Sequence, residues 1–155
     1  MSRFRRLVAL ALTVGAGAGA ITAVAVAPAT AASTSSTPTI KLMSTNKGKL
    51  LSVGSFVIYR FSHDGNGHKN TCLKIPGCKG AWPALTSAGN PKAGPGVNKS
   101  LLGTITIAGG KHQVTYAGHP LYKYAFGAPH STSYVGVNAF GGFWYGVNAA
   151  GNSVK

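Results

Sequence analysis

Ile58-Tyr59-Arg60-Phe61 reads apolar, tyrosine, basic, aromatic, and Leu121-Tyr122-Lys123-Tyr124 repeats that order later in the chain. Side chains alternate across a strand, so Tyr59 and Phe61 share one face, as do Tyr122 and Tyr124. Both tetrapeptides lie among short apolar runs broken by Gly, Pro and Asn. That rhythm predicts strands and turns, because helical apolar residues recur three and four apart. The echo extends outward. Gly48-Lys49 recurs as Gly110-Lys111 at nearly the same offset, and Trp82 follows Tyr59 at almost the spacing by which Trp144 follows Tyr122. Repetition at a near-constant offset predicts units that pack a shared core. The expected fold is all-β, a small pseudo-duplicated antiparallel β domain, with related halves over about 46–85 and 108–148.

Between the echoes the strands can be read directly. Thr104-Ile105-Thr106-Ile107 alternates polar and apolar, Gly109-Gly110 turns the chain, and His112 to Tyr116 alternates again, which predicts a hairpin. Gly118-His119-Pro120 then turns the chain into Leu121 to Phe126. Phe56 to Phe61 is an earlier strand, and Phe143 to Asn148 is the last.

Residues 1–32 read as a signal peptide. Met1 to Arg6 is basic, Leu7 to Ala27 is uncharged, and Ala29-Thr30-Ala31-Ala32 offers the small residues that a signal peptidase needs. Residues 33–45 are expected to be a polar linker, and 46–155 the secreted β domain. No transmembrane segment is expected once the leader is removed. The expected localisation is secreted, extracellular or associated with the cell wall.

The 155-residue chain carries 15 Lys and Arg against one acid, Asp64. Three basic residues lie in the leader, so the mature part has 12 against one, a net charge of +11. Such a balance favours loose association with polyanions such as anionic cell-wall polymers. The lysines are scattered instead of packed into one run, which weighs against a strong polyanion contact, and no specific nucleic-acid recognition is expected. One acid excludes the paired carboxylates of the usual glycosidase mechanism. A Ser-His-Asp triad would have to use Asp64, and no nucleophile-elbow motif is present. The expectation is therefore a non-enzymatic module with no cofactor.

Cys72 and Cys78 flank Pro76-Gly77, a turn that suits a short bridged loop. In an oxidising compartment a disulfide is the expected state, with a metal-bound thiolate pair as the alternative. His63, Asp64 and His68 are the candidate ligands of a metal or haem site, which defines the other functional reading, an extracellular redox accessory protein. Asp64-Gly65-Asn66-Gly67 resembles the start of a calcium loop but lacks the further acids such a loop uses. His112, His119 and His130 read as ordinary surface or turn residues. Trp82, Trp144 and Tyr145 are the candidate ligand-binding aromatics. Trp144-Tyr145 and Phe140 flank Gly141-Gly142, where a loop could present a platform to a sugar.

Tyr59, Phe61 and Asp64 fit the pattern Y-x-aromatic-x-x-D. This resembles the family of secreted proteins and predicted lipoproteins named for its Yx(FWY)xxD motif, also called the secreted repeat of unknown function. The resemblance continues in Cys78 to Leu85, similar to C-x-x-x-W-P-x-L, in Leu102 to Ile105, in Gln113 to Tyr122 and in Gly136 to Tyr145. It spans about residues 46–150 and implies no settled activity. In the second copy Gly127 stands where the acid belongs, and the lipid-attachment cysteine of many relatives is missing. Read without the family, Tyr59 and Phe61 are core aromatics, and Asp64 caps a turn by accepting backbone N–H groups two residues on.

Overall fold

The structure, a computed structural model, describes residues 36–65 and 69–155. The expected leader and His68 lie outside the described residues. β1 (Thr39–Thr45) and β2 (Gly48–Val53) form a hairpin across Asn46-Lys47, with Ile40 opposite Val53 and Thr45 opposite Gly48. β3 (Phe56–Val57) returns against β2, and β4 (Tyr59–Phe61) leaves that sheet. The two-residue strands β5 (Thr86–Ser87) and β6 (Lys92–Ala93) follow a stretch of helical turns. β7 (Leu102–Ile107) and β8 (Lys111–Tyr116) form a second long hairpin, with Leu102 opposite Tyr116 and β9 (His119–Pro120) returning against β8. β10 (Val137–Ala139), β11 (Gly142–Val147) and β12 (Ser153–Val154) complete the described chain.

The strands form three small sheets, ordered β3-β2-β1-β6, β5-β8-β7 with β9 on β8, and β10-β11-β12 with β4 on β11. The fold is all-β, as expected, and antiparallel but for the short pairing of β1 with β6. Two expectations need correction. Residues 39–45, assigned to the polar linker, are β1, where Ile40 and Met43 are 0% and 8% exposed. Their Thr, Ser and Lys neighbours hide that pattern in the sequence. Leu121 to Phe126 forms no strand of its own. Tyr122 bridges both Tyr59 and Ala84, and the Lys123 N–H donates to the Pro83 carbonyl. Pro83 has no N–H to return, so the pairing continues only one-sidedly, the Ala125 N–H donating to the Ala81 carbonyl at 2.8 Å.

Neighbouring residues enter opposite cores. Leu50, Tyr59 and Tyr122 belong to one buried cluster, while Leu51, Ile58 and Leu121 belong to the other. These strands are covered on both faces, and for that reason they read as apolar pairs instead of alternating.

Cys72 and Cys78 are disulfide-bonded, with Cα atoms 5.4 Å apart. Gly77, at φ +76°, supplies the left-handed turn between them. Closing so small a ring should contribute about 2 kcal/mol through the unfolded state. Reduction with dithiothreitol should therefore lower the urea midpoint by that equivalent and leave the far-ultraviolet spectrum unchanged. An unaltered midpoint would refute that contribution. Among the described residues no helix is long and apolar enough to cross a membrane.

Candidate functional site

The motif residues converge on one aromatic stack. β4 pairs with β11, setting Phe61 opposite Trp144 and Tyr59 opposite Gly146. Phe61 stacks on Trp144 at 4.3 Å between ring centroids, and Trp144 stacks on Trp82 at 3.9 Å, with planes within 4°. Trp82 meets Tyr59 edge-on at 5.1 Å and Tyr124 at 4.6 Å, and Tyr124 lies 3.8 Å from Tyr134. Tyr122 meets Trp144 edge-on at 5.2 Å. The Trp144 indole N–H donates to the Ala139 carbonyl at 3.2 Å, so its one polar atom is satisfied. A glycine permits this approach. A Cβ at Gly142 would lie 2.9 Å from the Phe61 ring and 2.7 Å from Ser62 Oγ. That hydroxyl instead accepts the Phe143 N–H at 2.8 Å.

Beneath the stack lies the chain's one acidic side chain. Asp64 is 2% exposed and accepts the Thr71 N–H and the Tyr122 hydroxyl, both at 2.7 Å. The acid that follows Tyr59 and Phe61 is thus joined to Tyr122, 58 residues further along the chain. The expected donor two residues on, Asn66, lies outside the described residues; the Thr71 N–H closes a longer loop onto the carboxylate. Burial raises the Asp64 carboxyl above its usual value, against hydrogen bonds from Tyr122, Thr71 and Cys72 that lower it. Tyr122 is raised far above the ordinary phenol range, by burial first and then by Asp64. Burial, with smaller contributions from Tyr134 and Tyr124, pushes Tyr59 up to about 12.

The network continues inward. Asn70 Oδ1 lies 3.0 Å from the Tyr122 hydroxyl, the Asn70 amide donates to Gln113 Oε1, and Gln113 Nε2 donates to the Leu121 carbonyl at 2.8 Å. Sequence reasoning missed Asn70 and Gln113. Nothing marks Asn70. Gln113 carries a faint signal, a long amide on a strand whose following residues are buried.

The remaining candidates disperse. Trp82 and Trp144 are 1% and 0% exposed and present no ring face to solvent. Tyr145 is half-buried, 6.0 Å from Phe143, whose ring lies under the Lys155 ammonium at 4.6 Å. Phe140 packs against the core instead of standing free. His63 is exposed, its Nδ1 3.1 Å from the Gly141 carbonyl, and both sulfurs are taken by the disulfide. Among the described residues, no three His, Cys, Asp or Glu side chains gather to hold a metal.

The surface has a simpler character. All eleven lysines are exposed, while Asp64 is not. A groove of about 500 Å³ is lined by Phe56, Tyr59, Pro83, Lys123 and Tyr124. A second, of about 680 Å³, runs between Lys69, Lys74, Ile105 and Ile107. Phe126, beside the first groove's Ala125 and Gly127, is 74% exposed. No family model, curated protein or solved structure matches the chain.

Proposed function

We propose that this chain is a secreted, non-enzymatic module that associates with anionic polymers of the cell envelope. One observation carries the reading: every lysine is exposed and the only acidic side chain is buried. The domain thus meets a polyanion with cationic side chains that no surface carboxylate neutralises. Attraction of this kind is long-ranged and needs no shaped pocket.

The resemblance to the Yx(FWY)xxD family, the leader and the duplicated unit belong to the same proposal. Register supports the duplication. Ile40 faces Val53 across the first hairpin, and Leu102 faces Tyr116 across the second. The second loop, Ala108–Gly110, is one residue longer than Asn46-Lys47, so the returning strand is shifted by one residue more than the outgoing one. Tyr59 and Tyr122 exchange backbone hydrogen bonds of 3.0 and 2.9 Å, and Trp82 lies flat on Trp144. Each is what a twofold relation between halves would produce.

The experiment is retention on purified cell-wall polymer. The domain should be held in dilute buffer and released in molar salt, because the Debye length falls from about 10 Å at 0.1 M to about 3 Å at 1 M. Lysine acetylation should release it as salt does. No retention at low salt would overturn the proposal, and retention that survives molar salt would replace charge with a specific contact.

A further inference from the structure

Tyr134, Tyr124, Trp82, Trp144 and Tyr122 form a continuous path of rings, with successive centroids 3.8, 4.6, 3.9 and 5.2 Å apart. The outer two are half-buried and reach solvent, whereas Trp82, Trp144 and Tyr122 are 1%, 0% and 0% exposed. At the inner end, the Tyr122 hydroxyl donates to Asp64 at 2.7 Å. Core packing explains stacked rings. It does not explain why the chain's only acidic side chain is withdrawn from water and set on the last of them. Burying a carboxylate costs free energy that an apolar residue there would not.

We propose that this path is a one-electron relay that carries oxidising equivalents from the surface to Tyr122. A one-electron oxidant, such as a diffusing radical or a high-potential metal complex, takes an electron from Tyr124 or Tyr134. The outer phenol keeps its proton, or takes it back from water, as Trp82 refills that vacancy; Trp144 refills Trp82, and Tyr122 refills Trp144. As Tyr122 gives up its electron, its phenol proton moves along the existing hydrogen bond to Asp64 Oδ2. The oxidant is reduced by one electron and Tyr122 is oxidised by one. The proton stays inside the protein, leaving a neutral tyrosyl beside a neutral carboxylic acid.

The relay ends at Tyr122 for a chemical reason. An oxidised phenol is strongly acidic, so oxidation is easiest where a base already holds its hydrogen. Among the described tyrosines, Tyr122 is the one hydrogen-bonded to a carboxylate. Burial makes that carboxylate a better proton acceptor than an ordinary one. The negative charge of Asp64 also offsets the arriving positive vacancy, which would otherwise be a costly charge in a dry core.

The surface pair supplies the readout. If two oxidising events reach Tyr124 and Tyr134 together, each phenol loses an electron and a proton. A carbon–carbon bond between their ortho positions then forms dityrosine. A working relay empties the pair before the second event. The full chain, dilute, is photolysed with ruthenium tris-bipyridine and persulfate. Radicals are followed by freeze-quench electron paramagnetic resonance and cross-links by peptide mass spectrometry. The wild type should give a long-lived tyrosyl signal and little Tyr124–Tyr134 cross-link. Tyr122→Phe should lose that signal and accumulate the cross-link, and Asp64→Asn should shift both in the same direction. If Asp64→Asn does not fold, formation of the wild-type radical should still be slower in D2O than in H2O. Equal cross-link yields in wild type and Tyr122→Phe, or a radical formed at the same rate in both solvents, would overturn the relay.

Discussion

Trp144→Ala should lower stability by about 3–5 kcal/mol, the range for truncating a buried tryptophan. The ring is 0% exposed and lies between Phe61 at 4.3 Å and Trp82 at 3.9 Å, with Tyr122 against it edge-on. Rigid neighbours on three sides limit how far the site can collapse, so much of the cavity should persist. The substitution also removes the hydrogen bond from the indole N–H to the Ala139 carbonyl. A domain of this size holds roughly 5–15 kcal/mol in total, so the variant sits near the edge of folding. Trp144→Phe keeps a ring in the stack and should cost clearly less. Phe126→Ala, at a side chain 74% exposed, should change stability by no more than about 0.5 kcal/mol. Urea unfolding followed by near-ultraviolet circular dichroism checks all three. A Trp144→Ala loss no larger than that of Phe126→Ala would mean that the stack does not carry the core.

Local patterns announced the strands better than the partners those strands would find. Thr104-Ile105-Thr106-Ile107 and His112 to Tyr116 carry their own turn between them, so β7 and β8 were legible from residues close in the chain. β1 was not, because its pattern of Ile40 and Met43 among Thr, Ser and Lys is meaningful only against β2. The same limit applies to the site. Tyr59, Phe61 and Asp64 are conspicuous as a motif, but the partner of Asp64 is Tyr122, 58 residues along the chain. Spacing along the sequence says nothing about such a pairing. Trp82 and Trp144 show the opposite case. Large aromatics beside glycines suggest an exposed platform, yet Gly142 and Gly146 let the strands approach closely enough to bury them: a Cβ at Gly146 would lie 3.0 Å from Leu50. The surface charge was legible at once, because a count of lysines needs no fold.

Tyr122→Phe should cost about 1.5–3 kcal/mol at neutral pH, the range for a hydrogen bond to an ionised group. It leaves Asp64 Oδ2 buried without its hydroxyl donor, while the Thr71 N–H still serves Oδ1. Asp64→Ala should cost about 1–3 kcal/mol, chiefly by orphaning the Thr71 N–H, because the Tyr122 hydroxyl can turn to Asn70 Oδ1 at 3.0 Å. The double variant should lose less than the sum, since each single change already breaks the shared bond. The pH dependence gives an independent check. The Asp64 carboxyl lies above its ordinary 3.8 in the folded protein, so the folded state binds a proton more tightly than the unfolded chain. The stability this adds is fully present below 3.8 and is lost as pH rises through the folded value. Acidification should therefore raise the urea midpoint of the wild type across that window. Asp64→Ala should abolish the rise. Tyr122→Phe should recover part of its loss in acid, because a protonated Asp64 no longer leaves a buried charge unpaired. Retention on anionic polymer should be the same in all these variants, since neither side chain contributes to the exposed charge. A midpoint that falls over the same window would mean that Asp64 is held as a stabilised carboxylate, and the pH response of Tyr122→Phe would be reversed with it.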